Sequence, residues 1–92
     1  MLFDQHPLIA RHTPHTLNEL VYVLRRDDVD YDISFRNPQK KGKAAGAWTC
    51  IPSVRECFIP VKDLAYHIQS IQYDEEDYEG VMYHHLELEV TV

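Results

Sequence analysis

The most regular pattern in the chain lies at its end. From Met82, every second residue is apolar or histidine: Met82, His84, Leu86, Leu88, Val90 and Val92. Tyr83, His85, Glu87, Glu89 and Thr91 fill the intervening positions. A period of two puts these sets on opposite faces of a strand, one apolar and one acidic. Val29, Tyr31, Ile33 and Phe35 alternate with Asp30, Asp32, Ser34 and Arg36 in the same way, so a second half-buried strand is predicted there. Asn37-Pro38 ends it. The stretch from Gln39 to Ala47 reads as a loop, and Trp48-Thr49-Cys50-Ile51 reads as the returning strand of a hairpin, stopped by Pro52.

Helical spacing appears in two places. Leu17, Leu20, Val21 and Leu24 recur at three and four residues. Thr16 and Glu19 precede them at capping-box spacing, and Arg25 and Arg26 fall in a last turn that favours cations. A helix over 17–26 is predicted. Pro60 then opens a second apolar series, Val61, Leu64, Ala65, Ile68 and Ile71, which also has helical spacing. A strand over Ala65–Tyr73 is the alternative, because Ile68, Ile71 and Tyr73 favour β structure. Ser53 and Glu56 have capping-box spacing too, but Pro60 leaves room for only one turn before an extended Phe58-Ile59. Residues 1–15 form an arm in which Pro7 could open a short helix through about His12.

The predicted architecture is a single α+β domain over residues 1–92, with the arm at 1–15 and the core at 16–92. Its order is α-β-β-α-β. A three-stranded, mostly antiparallel sheet is covered on one face by two helices. The other face then carries Asp30, Asp32, Glu87 and Glu89. If the first and last strands are neighbours, like charges stand close together, which is unfavourable.

Charge changes this picture more than composition does. The net charge is -6, and it is segregated. Lys40, Lys41 and Lys43 cluster in the hairpin loop, whereas no lysine or arginine follows Lys62. Asp74, Glu75, Glu76, Asp77 and Glu79 precede Gly80 and read as an acidic turn before the final strand. Net acidity disfavours general affinity for nucleic acid or anionic lipid and favours a basic protein partner. No stretch approaches the ~18 apolar residues of a membrane span. Residues 1–16 lack the apolar run of a secretory signal, so a cytoplasmic protein with reduced thiols is expected.

Catalytic and metal chemistry find little support. Cys50 and Cys57 are seven apart, and the adjacent His84 and His85 point to opposite strand faces, so neither pair suggests a zinc site. Cys50 or Cys57 with His67 lacks any nucleophile-elbow or phosphate-loop pattern. No enzyme activity, metal or cofactor is expected.

Two binding surfaces remain. The first is acidic: Asp74, Glu75, Glu76, Asp77, Tyr78, Glu79, Glu87 and Glu89. Glu87 and Glu89 lie ~6.6 Å apart along a strand, somewhat like successive phosphates of a nucleic-acid strand. Tyr73, Tyr78 and Tyr83 stand among the acids, and tyrosine is enriched at interfaces. In size and charge the chain is similar to the small acidic inhibitors that phages and mobile elements direct against host nucleases, including anti-restriction and anti-CRISPR proteins. That resemblance implies an inhibitor docked on the basic surface of a nucleic-acid-processing partner. The second surface is the alternative, a nucleic-acid-binding regulatory domain using Arg36, Lys40, Lys41, Lys43 and Trp48. A third reading is a small oligomeric subunit in which copies exchange residues 1–15.

Overall fold

In the computed structural model, which describes residues 6–39 and 46–92, the chain forms seven elements. These are α1 (Pro7–His12), α2 (Leu17–Arg25), β1 (Asp32–Arg36), β2 (Thr49–Ile51), α3 (Val61–Leu64), β3 (His67–Tyr78) and β4 (Val81–Thr91). The predicted basic residues Lys40, Lys41 and Lys43, and the first third of the arm, lie outside the described residues.

α1 and α2 start where the sequence predicts them. Pro7 occupies the first turn of α1, and His6 Nδ1 accepts the Leu8 N–H at 3.2 Å. Thr13 closes α1 in the left-handed conformation and donates its N–H to the Ile9 carbonyl. At α2, Thr16 Oγ1 accepts the Glu19 N–H at 3.2 Å, while Glu19 Oε2 reaches one residue further back than a capping box requires and accepts the His15 N–H at 2.9 Å. Arg25 turns away from its own helix end. Its Nε donates to the Val54 carbonyl at 2.6 Å and its Nη2 to that of Cys57 at 3.3 Å, fastening the irregular segment after β2 to α2.

The sheet has four strands, not three, in the order β2-β1-β4-β3. β1 is antiparallel to β2 and β3 to β4, but β1 and β4 run parallel, so the sheet is mixed. The extra strand is β3, which replaces most of the helix predicted from Pro60. That helix stops after four residues, at Leu64. The alternative strand reading of 65–73 holds, and the strand continues through Asp74–Asp77, which the sequence suggested was a turn. A β-bulge explains the misleading spacing. Ile68 pairs with Val90 and Ser70 with Glu89, so Gln69 is an extra residue in the ladder. The insertion returns Ile68 and Ile71 to the same face at an interval of three, which imitates a helical repeat.

The core lies between one sheet face and α1 and α2. Leu17, Leu20, Val21 and Leu24 of α2 pack with Ile33, Phe35, Leu86, Leu88, Val90, Ile68 and Ile71 of the sheet, with Ile9 of α1 and Val54 beside them. The start of α2 is tied to the start of β3: Leu17 N–H donates to the Tyr66 carbonyl and Ile68 N–H to the His15 carbonyl. Not all of β4's apolar stripe is buried. Leu86, Leu88 and Val90 are fully enclosed, but Met82 is 47% exposed and Val92 is exposed. The turn end of the β3–β4 hairpin runs beyond β1, whose pairing starts only at His85. Gly80, with φ of 81°, and Glu79, with φ of 52°, make that turn.

This division of the stripe is testable in urea. Leu86→Ala should lower unfolding free energy by about 2–5 kcal/mol, as for other enclosed leucines. Met82→Ala should stay within about 0.5 kcal/mol of the parent chain. A comparable loss from both substitutions would contradict the overhanging hairpin.

Candidate functional site

Strand pairing divides the predicted acidic residues between two faces. Partners across a ladder point the same way, so the helix-covered side receives Glu75 with His84 and Asp77 with Met82. The open side receives Asp74 with His85, Glu76 with Tyr83, and Tyr78 with Val81. Glu87 and Glu89 are also on the open side, opposite Gln72 and Ser70. Of the predicted acidic surface, Asp74, Glu76, Tyr78, Glu87 and Glu89 therefore share a face, and Glu79 lies in the turn. Glu75 and Asp77 belong to the fold instead. Asp77 Oδ1 accepts the Gly80 N–H at 3.1 Å and shapes the turn, and Glu75 Oε1 accepts the Tyr73 hydroxyl at 2.7 Å.

The parallel partner β1 fixes which side chains meet across this surface. Its register sets Asp32 opposite His85, Ser34 opposite Glu87 and Arg36 opposite Glu89. His85 Nδ1 lies 2.6 Å from Asp32 Oδ2, and Nε2 lies 3.2 Å from Glu87 Oε1. With a carboxylate at each ring nitrogen, only the imidazolium can donate both bonds. Burial pushes the His85 pKa down, but the bonds and charges of Asp32 and Glu87 outweigh it and hold the pKa above the ordinary value. His85 is thus a cationic tie between two strands, not a free base. The signal for it was the alternation that puts His85 on the acidic side. What the sequence lacked was the identity of the neighbouring strand.

The remaining cation of this face is similarly engaged. Arg36 Nη2 lies 3.5 Å from Glu89 Oε2, and the guanidinium stands 4.9 Å from the centre of the Trp48 ring. Trp48 lies just outside β2 and is 44% exposed. The face as a whole presents Asp32, Asp74, Glu76, Glu87 and Glu89 against Arg36 and His85. Among the described residues no helix or strand packs over it.

Beneath the hairpin, on the covered side, lies a separate polar cluster. Tyr73 is half-buried there rather than set among the surface acids. Its ring centroid is 4.6 Å from that of His6, and its hydroxyl lies 2.6 Å from His84 Nδ1. The hydroxyl proton serves Glu75, so His84 Nδ1 is the donor to Tyr73. Tyr31 donates to Asp27 and lies 2.8 Å from His6 Nε2, which makes Nε2 the protonated nitrogen of His6 and leaves Nδ1 free to cap α1. Burial drives the His6 pKa down against the opposing charge of Asp27. The hydrogen bond from Tyr31 holds Asp27 below the usual carboxylate range.

Among the described residues no group of three or more His, Cys, Asp or Glu side chains is arranged to hold a metal ion, and no helix is long and apolar enough to cross a membrane. Comparisons with protein families, with curated proteins and with solved structures each found no match.

The two histidines should respond to pH with opposite signs. The raised pKa of His85 contributes stability that is present below the unfolded value and lost as pH rises through the folded one. The lowered pKa of His6 contributes stability present above the unfolded value and lost as pH falls through the folded one, when protonation of Nδ1 removes the cap of α1. Imidazole NMR titrations should show His85 above and His6 below an ordinary histidine. Asp32→Asn should bring His85 down and leave His6 unmoved. An unchanged His85 in that variant would rule out the tie.

Proposed function

We propose that the chain is a non-enzymatic binding protein whose acidic sheet face occupies the basic, nucleic-acid-binding surface of another protein and blocks it. The observation that carries this reading is the uncovered sheet face. It presents acids from three strands, β1, β3 and β4, while its two cations are already engaged by Asp32, Glu87 and Glu89. A face with spent cations and free carboxylates attracts a basic surface from a distance and repels nucleic acid. Tyr78 and Tyr83, 64% and 51% exposed, supply the amphipathic contact area that carboxylates alone lack. Inhibition follows if the covered surface is the one its owner uses to hold DNA or RNA.

The nucleic-acid-binding alternative has less support. Arg36 and Trp48 stack on each other, and Glu89 takes up the Arg36 charge. Exchange of residues 1–15 between copies is also less favoured, since α1 of this arm packs on its own chain through the buried Ile9.

The test uses the tagged chain as bait in an extract of its native host. The retained protein should bind nucleic acid, and added oligonucleotide or salt should release it. The Asp74→Lys, Glu76→Lys variant should lose retention by a factor on the order of a hundred or more while unfolding like the parent, because neither side chain supports the core. Glu75→Gln should retain the partner. Full retention by the double variant would refute the acidic-face reading. Direct, salt-sensitive binding of the purified chain to oligonucleotide would favour the alternative.

A further inference from the structure

The strand arrangement leaves a gap in the sheet. β4 begins at Val81, but its parallel neighbour β1 begins only opposite His85. On that side of Val81–His84, among the described residues, no strand is paired. Alternate residues of this stretch therefore present N–H and C=O groups with no ladder partner. The chain ahead of β1 forms no ladder with this stretch, although the Tyr31 ring packs 5.4 Å from that of His84. The Tyr31 N–H is taken by Asp30 Oδ1 at 2.9 Å and its carbonyl by the Val54 N–H at 3.0 Å, which draws this segment towards the turn after β2.

The gap is an open groove of about 890 Å³. Met82 and Tyr83 stand on one side, Val29 and Pro52 on the other, all exposed. Its apolar walls and unpaired edge fit an extended chain, which supplies backbone partners for the edge and side chains for the walls. Charge decides what kind of chain. Asp32, Asp74, Glu76 and Glu87 line the same groove with His85, which already ties Asp32 and Glu87, and among the described residues no lysine or arginine lines it. Asp74 and Glu76 have no cation opposite them, so an acidic strand would meet like charge there, whereas a basic strand would pair with them.

We propose that this slot receives an extended, lysine- or arginine-bearing segment of the protein partner, which adds to the sheet beside Val81–His84 in line with β1. This rests on the reading of the acidic face as a docking surface and specifies how part of the partner is held. The outer edge of β3 is a poorer receptor, because Asp74–Asp77 present charge to both faces there.

The full-length chain can be titrated with a peptide of about six residues alternating valine and lysine. A copy of that peptide methylated on alternate backbone nitrogens keeps the charge but cannot complete a ladder, and a valine–glutamate peptide serves as the charge control. Amide NMR shifts and hydrogen exchange are the readouts. The basic peptide should shift and slow the amides of Val81–His84, N-methylation should weaken binding about tenfold or more, and the acidic peptide should not bind. Equal binding of the methylated peptide, or shifts confined to the outer edge of β3, would overturn the slot while leaving the acidic-face reading standing. No binding of any basic peptide at low salt would overturn both. In the free chain, slow exchange of those alternate amides of Val81–His84 that face the gap would show the slot already filled, by a second copy if it depends on concentration and by the chain's own residues if it does not, and would overturn the proposal.

Discussion

The parallel pairing of β1 with β4 is the constraint on which the rest of the structure depends. It brings Ile33 beside Leu86 and Phe35 beside Leu88, and these four side chains are the floor against which α2 packs. Buried apolar area is the main force holding so small a chain folded, and Ile33, Phe35, Leu86, Leu88 and Val90 of this pair of strands belong to that core. The same pairing carries a risk. Both strands have acids on their outer faces, and directly opposed like charges destabilise a sheet. The observed register avoids that. Asp32 faces His85, Glu89 faces Arg36, and Glu87 faces the neutral Ser34. A slip of one residue would lose these pairings and turn the apolar set out of the core.

The pairing also sets the shape of the exposed surface. β1 is five residues long and β4 eleven, so a parallel partnership starting at His85 leaves the first turn-proximal residues of β4 without cover. The hairpin projects, its apolar residues Met82 and Val81 reach solvent, and its acidic partner strand becomes a long sheet edge. Charged edges resist pairing with further copies of themselves. The acids of β3 therefore protect the edge and colour the surface at once. These two roles fall on different residues: Asp74 and Glu76 point to the open face, while Glu75 and Asp77 are held by Tyr73 and the turn.

Much of the fold was legible along the chain. α1 begins at the predicted Pro7 and α2 after the predicted Thr16 cap, the β1–β2 hairpin has the antiparallel pairing expected, and β4 buries its apolar alternation over Leu86, Leu88 and Val90. The helix predicted beyond Pro60 was not. Spacing alone does not separate a helix from a bulged strand when the bulge inserts one residue between Ile68 and Ile71, and the β preference of the side chains was the better guide. The candidate site was half legible. Its sign and its location late in the chain could be read, but its membership could not, because a run of acids on a strand is divided by the pleat.

The sequence by itself determined which residues seek burial, where the helices are capped and that the acids are segregated from the lysines, because these are properties of neighbours within a few residues. Only the tertiary structure decided that β1 lies parallel beside β4. The physical reason is that strand partnership is settled by which apolar faces bury together, over separations such as that from Asp32 to His85, and no local pattern encodes it. From that one decision follow the His85 tie, the spent cations, the division of the acids and the open slot beside Val81–His84.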